Sequence, residues 1–172
     1  MSNEAQKQFL ANVQKEIKQK VKTENKTLDK INNETDELKV AIKGYTNYFN
    51  ELEHFIIESM QDFTLAEEDV PTYFKSNINE VYRNYVKVKK DAIKEIETLN
   101  QYINHCKREI KNNQRSLKFY KSHYKDSDFF TECKPLVNIF QEKISVYEEN
   151  IKLTEETIEI LRKIVKKLEK WE

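Results

Sequence analysis

Hydrophobic residues recur alternately three and four positions apart along three long stretches of the chain, and this spacing predicts three helices. The stretches cover residues 1–62, 72–124 and 132–172. A repeat averaging 3.5 residues keeps a narrow apolar stripe on one side of a helix, which is typical of coiled-coil packing. The pattern therefore predicts an all-α fold, in which three long heptad-patterned helices form an elongated coiled coil.

The apolar stripes define the residues that we expect at the seams between helices. They are Leu28, Ile31, Leu38, Ile42, Tyr45, Phe49, Leu52 and Ile56 in the first helix, Ile96, Leu99, Ile103, Ile110 and Leu117 in the second, and Val137, Phe140, Ile144, Ile151, Ile158, Leu161, Val165 and Leu168 in the third. The third helix has the cleanest register, because a β-branched residue recurs at every seventh position from Val137 to Val165.

Two short segments interrupt the pattern and separate the predicted helices. Residues 63–71 are acidic and end in Pro71, which has no N–H to donate inside a helix. Residues 125–131 hold Asp and Ser, which favour turns. We expect Thr72 to cap the second helix and Pro135 to lie in the first turn of the third. Short connections place neighbouring helices antiparallel, so the simplest arrangement is up-down-up.

We expect helices from other chains to take part in the coiled coil. The stripes are only two positions in seven wide, which is thin for a self-contained bundle. Polar residues also interrupt them, and such residues fix register and partner number at a cost in stability. These residues are Gln14, Glu24, Thr35, Lys89, Asn113 and Thr154. The partners are then other helical proteins, in a hetero-oligomer rather than a homo-oligomer. The alternative is a self-contained three-helix adaptor or chaperone.

Charge is unevenly distributed although it sums to zero, with 30 basic and 30 acidic residues. Residues 104–125 carry seven basic groups against the single acid Glu109. In an antiparallel hairpin they would face residues 9–30, which are also basic. This like-charge seam predicts relief by an acidic helix, either from a partner or from the start of the third helix.

Two charged segments are candidates for docking a partner of opposite charge, although a solvated helix face is the simpler interpretation. The acidic segment lies within residues 51–70, which contain no Lys or Arg. Its members are Glu51, Glu53, Glu58, Asp62, Glu67, Glu68 and Asp69. The basic candidates are Lys107, Arg108, Lys111, Arg115 and Lys118. Their exposure would also allow nucleic-acid binding, which we rank below protein binding because Ile110 and Leu117 show that the same stretch packs.

Residues suited to catalysis or metal binding are sparse. The single glycine, Gly44, leaves no glycine-rich phosphate loop, and Cys106 and Cys133 have no metal-like spacing. We therefore expect a protein that is not an enzyme and has no cofactor, metal site or small-molecule substrate. The sequence contains no run of about 18 apolar residues, so we expect no membrane-spanning helix. The start of the sequence also lacks the pattern of a secretory signal. The expected location is intracellular, in the cytoplasm or nucleus.

Two short motifs resemble the coiled-coil region of the 58/45-kDa central-channel nucleoporin family. Val13-Gln14-Lys15-Glu16-Ile17 is similar to a stretch of that family's first helix. Val70-Pro71-Thr72-Tyr73-Phe74 resembles the opening of its second segment. The layout, a helix of about sixty residues followed by a break and two further heptad helices, also resembles that family, so the resemblance covers nearly the whole chain. No Phe-Gly repeats precede the helices, however. It implies a heterotrimeric coiled coil with two other channel nucleoporins, anchored to a scaffold at the nuclear envelope.

Overall fold

The computed structural model describes residues 2–125 and 129–172, and its regular elements within these ranges are all helical, which confirms the all-α prediction. They are α1 (Asn3–Asp62), a 3₁₀ turn (Glu67–Asp69), α2 (Val70–Asn77), α3 (Asn79–His123) and α4 (Phe130–Lys167). The last residues of the chain follow α4 as a turn that ends at Trp171 and Glu172.

The second predicted helix is two helices in the structure. Ile78 separates α2 from α3 with φ −136° and ψ 71°, outside the helical region. Asn77 and Asn79, on either side of it, each donate a side-chain hydrogen bond to a backbone carbonyl four residues earlier. Such bonds compete with the regular helix and favour its ends. The prediction of one continuous helix over residues 72–124 was therefore wrong at this point.

The start of α2 differs from the predicted cap. The helix begins at Val70, so Pro71 lies within its first turn and Thr72 is already helical. Proline is tolerated there because the first N–H groups of a helix have no partner within the helix. Asp69 occupies the N-cap position without a side-chain cap bond, and the 3₁₀ turn leads into it.

The start of α4 also lies earlier than predicted. The helix begins at Phe130 rather than near residue 132, which places Pro135 inside it, beyond the first turn. Pro135 has no N–H to donate to the carbonyl of Thr131, so this turn lacks one backbone hydrogen bond. Residues 126–128 of the predicted break lie outside the described residues.

The helices are divided between two compact units. The first combines the chain up to Asp36 with Asn104–Ile151, and so holds segments of α1, α3 and α4. The second combines Glu37–Ile103 with Lys152–Glu172, and holds the other segments of these helices together with α2. Each unit buries its own apolar residues, and burial of one large apolar side chain is worth roughly 1.5–3 kcal/mol.

In the first unit, α1 and α4 run parallel and α3 runs antiparallel to both. Side-chain contacts between α1 and α4 occur in the same order along both helices, and they are Gln14–Glu132, Glu24–Lys143 and Thr35–Asn150. Contacts between α3 and α4 occur in the reverse order, and they are Tyr120–Phe140 and His105–Tyr147. This arrangement brings the apolar stripes of three helices into one core.

The buried stripe of α4 coincides with the predicted seam at one heptad position and is displaced from it at the other. Two heptad positions are buried throughout α4 and the turn that follows it. One holds Cys133, Phe140, Tyr147, Thr154, Leu161 and Leu168, and the other holds Leu136, Lys143, Asn150, Thr157, Ile164 and Trp171. The predicted β-branched stripe lies beside them. Ile158 in it is buried, whereas Val137, Ile144, Ile151 and Val165 are half-buried. The displacement arises because polar Lys143, Asn150 and Thr157 occupy core positions.

Candidate functional site

The predicted seam residues are covered by other helices of the same chain. Those that are buried are Leu28, Ile31, Leu38, Leu52, Ile56, Leu99, Ile103, Phe140, Ile158, Leu161 and Leu168. Those that are half-buried are Ile42, Tyr45, Phe49, Ile96, Ile110, Leu117, Val137, Ile144, Ile151 and Val165. The stripes thus build the cores of the two units.

A buried ion pair joins α1 to α4 in the first unit. The Nζ atom of Lys143 lies 2.6 Å from Oε2 of Glu24 and 5.8 Å from the ring centroid of Phe140. Lys20, one turn before Glu24, is a second and more exposed partner of that carboxylate at 3.5 Å. This pair joins α1 to α4, so it does not involve the basic stretch of α3 that the like-charge prediction concerned.

A buried polar contact lies further along the same two helices. The hydroxyl of Thr35 is within hydrogen-bond distance of Oδ1 of Asn150 and of the Ile31 carbonyl. The amide nitrogen of Asn150 donates to the Ile31 carbonyl at 3.3 Å. Sequence reasoning missed Asn150, because a polar residue outside the apolar stripe gives no signal of burial.

Two further interruptions of the predicted seams also find partners inside the chain. Asn113 donates to the carbonyl of Glu109, one turn earlier, at 2.7 Å. The Nζ atom of Lys89 donates to the carbonyls of Glu169 and Trp171, at 2.9 and 3.4 Å. Asn113 is buried and Lys89 half-buried, and both find their hydrogen-bond partners without a second chain.

The predicted acidic docking segment is partly neutralised by lysines at the end of α4 and in the turn that follows it, in the second unit. Lys167 lies 2.8 Å from Glu67 and 3.9 Å from Glu53, and Lys170 lies 3.7 Å from Glu68. Glu58 pairs with the exposed His54 on its own helix. Glu51, Asp62 and Asp69 are exposed and form no ion pair within the described residues. The sequence had suggested a uniformly free acidic surface, but in the structure part of this segment is paired with lysines.

The predicted basic residues behave differently. Lys107, Arg108, Lys111, Arg115 and Lys118 are all exposed, and within the described residues none pairs with a carboxylate. The lysines between residues 9 and 30 are exposed as well. Both basic segments therefore face solvent instead of meeting along a seam, and this corrects the like-charge repulsion expected there.

An aromatic cluster anchors the end of the chain on the second unit. The ring of Trp171, which is 2% exposed, lies 5.9 Å from Phe74, 5.9 Å from Tyr82 and 4.9 Å from Tyr85, measured between ring centroids. The backbone N–H of Glu172 donates to the Tyr82 hydroxyl at 3.1 Å. The heptad stripe predicted for the third helix ended before Trp171, so sequence reasoning did not find this contact.

An open apolar groove lies between α1 and α3 on the second unit and encloses about 520 Å³. Small residues line it, namely Ala41 and Gly44 on α1 and Ala92 on α3. Leu161 and Ile164 of α4 form its floor, and each is 2% exposed. A Cβ atom added at Gly44 would meet no heavy atom within 4 Å. The groove exists because these positions carry too little side-chain volume to close it.

Val88, two tyrosines and two carboxylates complete the lining of the groove, and its charged groups are acidic. Asp91 and Glu95 lie one turn apart on α3, and neither forms an ion pair within the part of the chain that is described. Burial raises the pKa of Tyr48 to about 12, with Tyr85 and Glu51 as further causes. Burial and then the Glu95 carboxylate raise the pKa of Tyr45. Both phenols are therefore neutral at ordinary pH.

Other site types have little support in the described residues. Across residues 2–125 and 129–172, no group of three or more His, Cys, Asp or Glu side chains is arranged to hold a metal ion. None of the helices in these ranges has the length and apolar character that a membrane span requires.

No protein-family model matches the chain, and neither a curated protein nor a solved structure matches it.

Proposed function

We propose that the chain is a non-enzymatic helical adaptor whose second unit binds an amphipathic helix of another protein. The observation that carries this proposal is the groove around Gly44, which combines an apolar floor with Asp91 and Glu95, two carboxylates that have no ion-pair partner among residues 2–125 and 129–172. Helices that bind in grooves present apolar anchors at positions i, i+3, i+4 and i+7. The expected partner therefore has an apolar face flanked by lysine or arginine.

The polar residues within the seams support a chain that folds by itself. Glu24, Thr35 and Lys89 interrupt the predicted stripes, yet each has a partner in this chain. A coiled coil shared with other proteins would be expected to use such residues to select the partner helices. Because Glu24, Thr35 and Lys89 pair within this chain, they do not need polar partners on another chain.

The competing proposal is a chain that intertwines with partner helices, including the trimer implied by the nucleoporin resemblance. Light scattering and circular dichroism on the purified chain distinguish the two. A self-contained adaptor gives the mass of one chain and a cooperative thermal transition. An intertwined subunit is self-associated or only partly helical until its partners are added.

Designed peptides test the groove directly. A labelled helical peptide with leucine on one face and lysine on its flanks is compared with a second peptide that carries glutamate in place of lysine. We expect tighter binding of the lysine peptide, measured by fluorescence anisotropy, because Asp91 and Glu95 would attract it and repel the other. Equal binding of both peptides, or binding of neither, contradicts the proposed partner chemistry.

A variant that fills the groove gives the matched control. Gly44→Leu is expected to abolish peptide binding without unfolding the protein, because open space surrounds the position of its Cβ atom. Thr46→Leu adds the same side chain at an exposed position of α1 outside the groove lining. It should bind the lysine peptide as the unaltered protein does. If both variants lose binding to the same extent, the peptide does not bind in the groove.

A further inference from the structure

Four exposed cations form one continuous face of α3 in the first unit. Arg108, Lys111, Arg115 and Lys118 are spaced three or four residues apart, which places them on the same side of a helix. We call these four residues the basic face. With a rise of 1.5 Å per residue, it spreads over roughly 15 Å of α3. Its charges have no carboxylate partner among the described residues, so they are available to an anion.

An exposed aromatic pair adjoins the basic face. Phe119 is 53% exposed, although it is a large apolar residue. Its ring stacks on that of His123, with 5.0 Å between the centroids and 11° between the planes. Phe119 follows Lys118 and lies one turn beyond Arg115, so a flat ring surface continues directly from the cations.

We propose that the basic face together with Phe119 and His123 binds single-stranded nucleic acid. The cations contact successive phosphates, and an unpaired base stacks on the ring pair. Single-stranded nucleic-acid sites combine a positively charged surface with aromatic platforms in this manner. Two other anionic ligands fit less well. The bases of a duplex are already stacked on each other, and an acidic protein helix offers carboxylates but no flat ring. Neither ligand would stack on Phe119 and His123 as an unpaired base would.

A labelled oligouridylate tests the proposal by fluorescence anisotropy at several salt concentrations. Four phosphate contacts predict a slope of about −3 in a plot of log K against log salt concentration. Neutralising two of them in the Lys111→Gln, Arg115→Gln double variant should make that slope shallower by about 1.4. Removing the ring in Phe119→Ala should weaken binding about tenfold at constant salt, through loss of base stacking.

The control separates a local site from the charge of the whole chain. Lys87 and Lys94 are exposed residues of α3 in the second unit, and Lys87→Gln with Lys94→Gln removes the same formal charge. This pair should leave the slope unchanged. If it lowers the affinity and the slope as much as the variant of the basic face does, the proposal is overturned. Absence of binding at low salt also overturns it, and it would leave the groove around Gly44 unaffected.

Inorganic polyphosphate, which has no bases, tests the role of the rings. It should bind to the basic face, and Phe119→Ala should not weaken that binding. If the substitution weakens binding of polyphosphate as strongly as that of the oligouridylate, stacking is excluded. Equal binding of an oligodeoxythymidylate supports the proposal, because neither the cations nor the rings require a 2′-hydroxyl. Circular dichroism checks that each variant keeps its helical content.

Discussion

The ammonium nitrogen of Lys143 lies 2.6 Å from a carboxylate oxygen of Glu24, and the lysine residue is only 5% exposed. A charge in such a position is stable only while its partner is present, because both have been removed from water. The pair therefore fixes where α4 lies along α1 in the first unit. A shift of α4 by one residue would leave a charge buried without its partner.

Lys143→Met should destabilise the protein by about 2–3 kcal/mol, because it leaves the largely buried Glu24 carboxylate without its closest cation. The free energy of unfolding in urea measures this loss. Lys20→Met removes the exposed partner of the same carboxylate and should cost less than about 0.5 kcal/mol. Equal effects of the two substitutions would contradict the assignment of a buried pair.

Trp171→Ala should destabilise the second unit by about 3 kcal/mol, although it changes the penultimate residue of the chain. The ring is buried against Phe74, Tyr82 and Tyr85, so its loss leaves a cavity among aromatic side chains. Urea denaturation followed by circular dichroism measures the change. Phe119→Ala, at an exposed ring, should change the midpoint little, and a similar loss in both variants would argue against a packed C-terminal end.

Alkaline pH should destabilise the protein through the half-buried Tyr48. Burial raises the pKa of Tyr48 to about 12, whereas tyrosine in an unfolded chain titrates near 10. The contribution of the Tyr48 phenol to the free energy of unfolding is therefore complete below pH about 10. It is lost as the pH rises through the folded-state pKa, because the unfolded chain releases the phenol proton first. Tyr48→Phe should reduce the pH dependence of urea stability in this range. An unchanged dependence would exclude Tyr48 as a contributor.

The helical stripes of α1 could be predicted from the sequence because they follow one period over a long distance. Leu28, Leu38 and Leu52 all follow the alternating spacing of three and four residues, and all three are buried. Burial at such positions depends on helix geometry and on which side is apolar. Neither property requires knowledge of the neighbouring helix.

Only one heptad position of the α4 core, which includes Phe140 and Leu161, was predicted from the sequence, because the other position includes polar residues. Asn150 is fully buried, and the contact that allows its burial comes from Thr35, more than a hundred residues away in the sequence. The periodicity of apolar residues therefore selected the neighbouring stripe that contains Ile151. A pattern confined to one helix does not reveal a partner on another.

The groove also could not be read from the sequence. Gly44 indicated only that a glycine-rich loop is absent, and Ala41 and Ala92 are common helix residues. The space between them results from three helices that meet where α1 and α3 carry small side chains at Ala41, Gly44 and Ala92. Whether small side chains leave an empty space depends on which helices pack against them. The groove can therefore be found only once the helices are placed together.

The end of α1 offers a position where a substitution should stabilise the protein. Thr64 has φ 53°, in the left-handed region, which is unfavourable for a β-branched residue. The N–H of Leu65 donates to the Met60 carbonyl at 2.9 Å, which is the hydrogen bond of a Schellman C-cap. Glycine is the residue usually found at the left-handed position of this motif.

Thr64→Gly should therefore raise the free energy of unfolding by about 1 kcal/mol, because it relieves the strain at the cap. The same replacement at the exposed position Thr46, inside α1, should lower it by roughly 0.5–1 kcal/mol, since glycine weakens a helix interior. Urea denaturation of both variants gives the comparison. The opposite signs follow from backbone conformation alone, so a loss of stability in Thr64→Gly would show that the left-handed cap is not the conformation adopted in solution.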